Sequence, residues 1–79
     1  MGEVELFGAA GCPYTTEFRE HLLWNQVAFV EYDVEADTVA RARLLSLTGG
    51  HGAVPVLVED GRVTAIGWHG RSCAVAASG

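Results

Sequence analysis

The run GAAGCPYT at residues 8–15 decides how this 79-residue chain folds. Before it stands VELF, residues 4–7, a segment with high β propensity. After it, apolar residues recur at the spacing of a helix, at Tyr14, Phe18 and Leu22. Proline suits the first turn of a helix, because its missing N–H would have no partner there. The stretch therefore predicts a strand, a tight loop and a helix over residues 13–26, with Cys12 at the helix N-terminus.

The rest of the chain continues the alternation of strand and helix. Residues 27–34 are predicted to form a second strand, and Asp37 or Thr38 to cap a second helix that stops at Thr-Gly-Gly, residues 48–50. Strands at 54–58 and 63–66 flank an Asp-Gly turn, which is a hairpin signature. The order βαβαββ predicts an α/β fold with a mixed four-stranded sheet and helices packed on it. The first two strands are parallel, because a helix joins them, and the last two are antiparallel.

Length and charge exclude several classes of function. The chain has 49% hydrophobic residues and a net charge of -5 with no lysine, so we expect one domain over residues 1–79 and no binding to nucleic acid or anionic membrane. It has no apolar run long enough for a membrane span and no signal-peptide layout at its start, so we expect it in the cytoplasm. We also expect a monomer. Residues 74–79 are predicted to be a loose tail.

Cys12 is the residue that most clearly indicates a chemical function. The unpaired N–H groups and the dipole of a helix N-terminus favour a thiolate, which lowers the pKa of a thiol in that place and makes it a nucleophile for disulfides. The alternative is that Cys12 is only a small apolar residue in a loop. Three small residues before Cys12 and Pro13 after it favour an exposed, reactive thiol over a buried one.

Cys-Pro-Tyr-Thr after a first strand, together with Val54-Pro55 and Ile66-Gly67, resembles the glutaredoxins of the thioredoxin fold. More narrowly, residues 12–25, 31–37 and 54–61 resemble the Uxx-star group of glutaredoxin-like proteins, in which many members carry selenocysteine at the position of Cys12. The resemblance implies a thioredoxin/glutaredoxin-like fold and a cysteine-containing member of that group.

The resemblance also implies where a substrate lies. In glutaredoxins the proline that matches Pro55 follows a cis peptide bond, and the backbone of the preceding residue, here Val54, pairs with the cysteinyl part of the bound thiol. An edge proline at the start of a strand is the alternative interpretation of Pro55. The substrate-binding residues predicted in this way are Pro13, Tyr14, Thr15, Val54, Pro55, Gly67 and Trp68.

Four departures from the family pattern alter these expectations. Thr15 stands where dithiol members have a second cysteine, Ala9 where many have a lysine for the glutathione carboxylate, and Trp68 where a second glycine is usual. The chain also leaves no room for the last helix, so we expect that helix to be truncated. Glutathione is therefore doubtful as a ligand, and no cofactor is expected. Trp68 offers a flat apolar wall that suits a protein or a larger apolar disulfide.

Cys73 has two possible roles. In the family fold Gly67 lies near the active-site end, so the following segment can bring Cys73 within disulfide range of Cys12, as a resolving thiol. The alternative is an unpaired tail thiol. The cysteines and histidines lack the spacing of a metal site, so none is expected, although His69 beside Trp68 can favour the Cys12 thiolate if its ring comes close.

Two functions follow. The first is a thiol–disulfide oxidoreductase in which Cys12 forms a mixed disulfide that Cys73 or an external thiol resolves. Its partners are a disulfide-containing protein or small molecule and a thiol reductant. The alternative is a non-enzymatic iron–sulfur cluster carrier that uses Cys12 in a dimer. A binding module that has kept the fold and lost catalysis is a third, weaker hypothesis.

Overall fold

The structure is a computed structural model that describes residues 3–75. Its elements alternate as the sequence predicts, with two additional short strands. In chain order they are β1 (Val4–Gly8), α1 (Pro13–Trp24), β2 (Val30–Asp33), α2 (Thr38–Thr48), β3 (Ala53–Val54), β4 (Val56–Glu59), β5 (Arg62–Ile66) and β6 (Cys73–Ala74).

Four strands form the central sheet, in the order β2-β1-β4-β5. β1 pairs with β2 in parallel, and with β4 antiparallel, while β4 and β5 form an antiparallel hairpin. This confirms the predicted mixed sheet. The crossover from β1 to β2 passes through α1, so the loop that carries Cys12 leaves the sheet at the C-terminal end of the central strand β1.

Helices cover both faces of this sheet. The neighbouring residues Leu6 and Phe7 are both fully buried, because successive side chains of a strand point to opposite faces. Leu6 packs with Phe18 and Leu22 of α1, and Phe7 lies in the cluster that contains Leu44 of α2. The two adjacent apolar residues Leu6 and Phe7 of β1 thus serve two small cores.

Both helices begin and end where their residues dictate. Asp37 caps α2 by accepting a hydrogen bond from the Ala40 N–H (3.0 Å), and Gly49 ends that helix in the left-handed region, at φ 70°. α1 stops at Trp24, two residues earlier than expected. β2 begins at Val30, because the three residues before it form a loop whose Val27 and Phe29 pack on the α1 side of the sheet.

The predicted strand 54–58 is divided at Pro55. The Val54–Pro55 peptide bond is cis, and a proline has no N–H for a ladder, so β3 ends before it and β4 begins after it. β3 pairs with β6 in a separate two-stranded sheet. The sequence reasoning did not predict β6.

The C-terminal segment departs from the expected loose tail. Ala74 belongs to β6 and Val75 is buried, so that prediction is wrong for these two residues, because strand pairing and an apolar contact hold them. Residues 76–79, the rest of the predicted tail, lie outside the described residues. Between Gly67 and Val75 the chain makes a turn and the short strand β6, and these described residues contain no helix.

Candidate functional site

Cys12 is the N-cap residue of α1. Its backbone is extended (φ -95°, ψ 115°), and its carbonyl accepts hydrogen bonds from the N–H groups of Thr15 (3.1 Å) and Thr16 (3.3 Å). Its own N–H donates to the Ala9 carbonyl (3.1 Å), and Pro13 occupies the first helical turn. The sulfur is thus attached at the positive end of the helix, as the sequence predicts.

Thr15 supports the loop that presents Cys12. Its side chain is fully buried, and its hydroxyl accepts a hydrogen bond from the Ala9 N–H (3.3 Å). Its γ-methyl group packs so closely on Gly8 that a Cβ at Gly8 would overlap it. The residue that replaces the second active-site cysteine therefore fastens the loop to the end of β1.

Cys12 and Cys73 form a disulfide bond. Their Cα atoms lie 6.1 Å apart, inside the usual range for disulfides, although the residues are 61 positions apart in sequence. The structure thus pairs Cys73 with Cys12, whereas the alternative was an unpaired tail thiol. Its part in a reaction stays a prediction.

β6 brings Cys73 to Cys12 along the edge of β3. In the antiparallel register Cys73 lies opposite Val54, the residue before the cis bond, and Ala74 lies opposite Ala53. One residue further on, the Val75 N–H donates to the Gly52 carbonyl (2.6 Å). The backbone edge predicted to receive a thiol substrate therefore carries a segment of the chain itself.

A tight turn leads from β5 into β6. Trp68 and Arg71 exchange backbone hydrogen bonds, and the Gly67 N–H donates to the Pro55 carbonyl (2.7 Å). Gly67 and Gly70 both have positive φ, at 84° and 76°, and a Cβ at Gly67 would lie 2.8 Å from the Arg71 carbonyl oxygen. The spacing of these glycines was the sequence signal for this turn, and it was missed.

Cys12 is buried, contrary to the expectation of an exposed thiol. Only 2% of the residue is exposed, and it shares a cluster with Val54 and Val75, with Tyr14 packed against the same cluster. Cys73 itself is partly exposed.

Trp68 lies against α1. Its ring packs on Phe18 (centroids 4.9 Å apart) and near His21 (5.0 Å), and its indole N–H donates to Glu17 (3.2 Å). His69 packs edge-on against Trp68 at 4.4 Å. The tryptophan therefore extends the surface of α1 beside the turn that leads to Cys73.

Two ion pairs lie on the main sheet and its helices. Arg43 of α2 donates two hydrogen bonds (2.9 and 3.0 Å) to the buried carboxylate of Glu5, and these hold the pKa of Glu5 below its ordinary value. Arg19 makes a similar two-point contact with Glu31 at 2.7 Å, which raises the pKa of Arg19. Glu5 lies three residues before the end of β1, so this pair belongs to the sheet and not to the disulfide.

Within residues 3–75, no three His, Cys, Asp or Glu side chains are grouped to hold a metal ion. None of the helices in that part of the chain has the length and apolar character needed to cross a membrane. The disulfide also engages Cys12, the residue that the cluster-carrier alternative required as a ligand, so the structure does not favour that alternative.

Sheet order, helix placement and a cysteine at the start of α1 define a thioredoxin-fold protein. The family model for glutaredoxin matches residues 4–64, and the chain belongs to the glutaredoxin family. No curated protein sequence matches it.

Solved structures show the same fold. The thioredoxin-like protein BC3987 is 36% identical, with a TM-score of 0.71 over 80% of this chain and 85% of that one. A mutant of BC3987, also 36% identical, has a TM-score of 0.72 over 84% and 83% of the two chains. Glutaredoxin 1 from Francisella tularensis, crystallised with cacodylate, is 21% identical, with a TM-score of 0.59 over 84% of each chain. The last of these shows likeness of fold alone.

Proposed function

We propose that this chain is a thiol–disulfide oxidoreductase in which Cys12 is the nucleophile and Cys73 the resolving thiol. The observation that carries the proposal is the disulfide between Cys12, at the start of α1, and Cys73, on β6. In the oxidised chain these two sulfurs are already in the bond that the reaction leaves behind.

The reaction begins from the reduced chain. The Cys12 thiolate attacks one sulfur of a substrate disulfide, forms a mixed disulfide with it, and the electron pair of the broken bond leaves on the other substrate sulfur. The Cys73 thiolate then attacks the Cys12 sulfur, which forms the Cys12–Cys73 bond and releases the second substrate thiol. The substrate gains two electrons and the chain loses two.

The positions of the remaining predicted residues support this assignment. The backbone edge of Val54, next to Pro55, is paired with Cys73, and the Gly67 N–H donates to the Pro55 carbonyl, so the turn before β6 is joined to the same edge. Tyr14 and Thr15 flank Cys12 on the first turn of α1. The substrate we propose is a disulfide-containing protein or small molecule. We also propose that the chain acts as a monomer in the cytoplasm.

External thiols return the chain to its reduced form. Cys12 is buried while Cys73 is partly exposed, so we propose that the first external thiol attacks the sulfur of Cys73. That attack releases Cys12 as the leaving thiolate at the helix N-terminus, where negative charge is favoured, and leaves Cys73 in a mixed disulfide with the external thiol. A second external thiol then attacks the external sulfur of that mixed disulfide, which releases the Cys73 thiolate and forms a disulfide between the two external thiols. Glutathione has no dedicated site in this proposal: Ala9 is buried and uncharged, and β6 covers the Val54 edge.

Within the glutaredoxin family we place the chain with the Uxx-star group. The support is the similarity of residues 12–25, 31–37 and 54–61 to that group. In this assignment Cys12 performs with a thiolate the attack that a selenolate performs in its selenocysteine-containing relatives.

Two variants test the function. Cys12→Ser replaces the thiolate with a much weaker nucleophile of similar size, so disulfide reduction is expected to vanish while the circular dichroism spectrum stays. Cys73→Ala is expected to accumulate a mixed disulfide with substrate, visible by mass spectrometry, because the tethered thiol is lost. A serine variant that reduces disulfides at the parent rate rules out Cys12 as the nucleophile.

A further inference from the structure

β6 lies where a segment bonded to Cys12 has to lie. We propose that β6 is the chain's own copy of its substrate, and that the preferred substrate is a protein disulfide whose cysteine lies in an extended segment with an apolar residue two positions further along. This inference rests on the proposed function and specifies the partner of the same site.

The position of Cys73 defines the position of any cysteine bonded to Cys12. Its Cα lies 6.1 Å from that of Cys12, directly opposite Val54 on the edge of β3. A partner cysteine in a mixed disulfide is held to Cys12 by the same short linkage. An extended partner segment therefore continues along β3 as β6 does, by addition of a strand to an open edge.

Val75 provides the side-chain selectivity. Alternate residues of a strand face the same side, so the residue two positions after the cysteine points toward the core, as the cysteine does. Val75 is only 7% exposed and lies in the buried cluster with Val54 and Val56. When β6 leaves, its place is an apolar recess next to β3. An apolar partner residue refills that recess, whereas a charged one loses its hydration there without a partner.

Gly52 is the second determinant of this site. Its carbonyl accepts the Val75 N–H, and a Cβ at Gly52 would lie 2.5 Å from the Val75 carbonyl oxygen. Its φ is outside the left-handed region, so the need for glycine comes from the close approach of the neighbouring backbone. A partner strand on the same path makes the same approach. Gly52 is thus a specificity-determining residue that admits a strand at this edge.

Strand exchange and disulfide exchange are coupled in this scheme. Substrate occupies the edge while its sulfur is bonded to Cys12. When the Cys73 thiolate attacks the Cys12 sulfur, the substrate thiol leaves and β6 returns to the edge. Because Cys73 is tethered, it acts at an effective concentration in the mM range, which also favours displacement of the product strand.

The test uses the Cys73→Ala variant in single turnover. The probe is the peptide Gly-Arg-Ser-Cys-Ala-Val, the sequence of residues 70–75, joined through its cysteine to the chromogenic thiol thionitrobenzoate. Cys12 attacks the peptide sulfur and releases the coloured thiol. Comparison peptides end in aspartate, or carry the valine two positions before the cysteine and alanine at the end. A cysteamine–thionitrobenzoate disulfide has no flanking residues.

We expect the valine-ended peptide to react at least about tenfold faster than the aspartate-ended one, as the burial of an apolar side chain implies. Equal rates, or an equally fast peptide with the displaced valine, overturn the inference. If only the cysteamine disulfide releases the coloured thiol, the proposed function is retained and the proposed substrate class is wrong. No release from any probe removes the proposed function itself.

Gly52→Ala in the same Cys73→Ala background tests the path of the strand. Its added methyl group meets the backbone of the incoming segment, so the preference for the valine-ended peptide is expected to disappear. Gly11→Ala is the matched control, because a Cβ there meets nothing within 4 Å. An unchanged preference in Gly52→Ala shows that the partner does not follow β6 and contradicts the inference.

Discussion

The two sheets of this molecule are held together by different means. The four-stranded sheet has buried side chains on both faces and helices over each of them. The β3–β6 sheet has two residues per strand, and it is held by the Cys12–Cys73 disulfide, the Val75 side chain and one flanking hydrogen bond. An isolated two-stranded pairing is marginal in water. The first sheet is therefore the scaffold, and we expect the second to depend on the redox state of the site.

This difference leads us to expect that the less stable part of the molecule lies beside Cys12. Regions of low stability have few buried contacts, and binding segments are drawn from them. We expect β6 to have that character once the disulfide is reduced, because it pairs with β3 over two residues, whereas α1 and β1, which position Cys12, belong to the scaffold. In the proposed function the nucleophile Cys12 is thus held by the scaffold, and we expect the segment that covers it to leave on reduction.

Loss of the disulfide should have the largest effect on stability. Cys73→Ala removes a bond between residues 61 positions apart, which in the chain-entropy account lowers the free energy of unfolding by about 4 kcal/mol. Urea unfolding of oxidised parent, reduced parent and variant measures this. The reduced parent and the variant should coincide, and both should retain the circular dichroism of the main sheet. Loss of the main sheet on reduction would contradict the claim that this sheet is stable without the disulfide.

Substitution of two buried valines, one in each region, tests the difference in stability between the two sheets. Val58→Ala in β4 and Val75→Ala after β6 each remove buried methyl groups, so each should lower the unfolding free energy of the oxidised chain by about 1–3 kcal/mol. In the reduced chain only Val58→Ala should still lower the free energy of unfolding, because we expect Val75 to leave the core on reduction. An equal cost of Val75→Ala in both redox states would mean that β6 stays in place without the disulfide.

The Glu5–Arg43 pair gives a smaller effect that belongs to the scaffold alone. Glu5→Gln removes charge from hydrogen bonds of 2.9 and 3.0 Å, and should lower the unfolding free energy by about 1–2 kcal/mol in oxidised and reduced chains alike. Because the pKa of Glu5 is lower in the folded chain than in the unfolded one, this contribution is complete above the ordinary carboxyl pKa.

The same contribution is lost as the pH falls through the lowered pKa. Unfolding measured from neutral to acid pH should therefore show the difference between parent and Glu5→Gln narrowing as the acid is added. Glu31→Gln, at the exposed pair with Arg19, is the control and should cost about 0.2–1 kcal/mol. A difference between parent and Glu5→Gln that appears only in the oxidised chain would assign the pair to the wrong region.

Local sequence was sufficient for most of the scaffold. The alternation of strand and helix patterns, Pro13 at the start of α1, Asp37 as a cap and the Asp-Gly turn each act within a few residues, so the mixed sheet and the position of Cys12 could be predicted. The exact ends of α1 and β2 could not, because Val27 and Phe29 are held by packing on a distant helix surface.

The sequence by itself determined an α/β scaffold with a mixed four-stranded sheet and one cysteine at a helix N-terminus, because those signals are local. Only the tertiary structure decided that β6 exists, that it pairs with β3, and that Cys12 is buried beneath it. Cys73-Ala74 is too short to show a strand pattern of its own, and its partners are about twenty residues away on β3 and 61 residues away at Cys12. Contacts of that kind form only when the scaffold has already brought the two regions together.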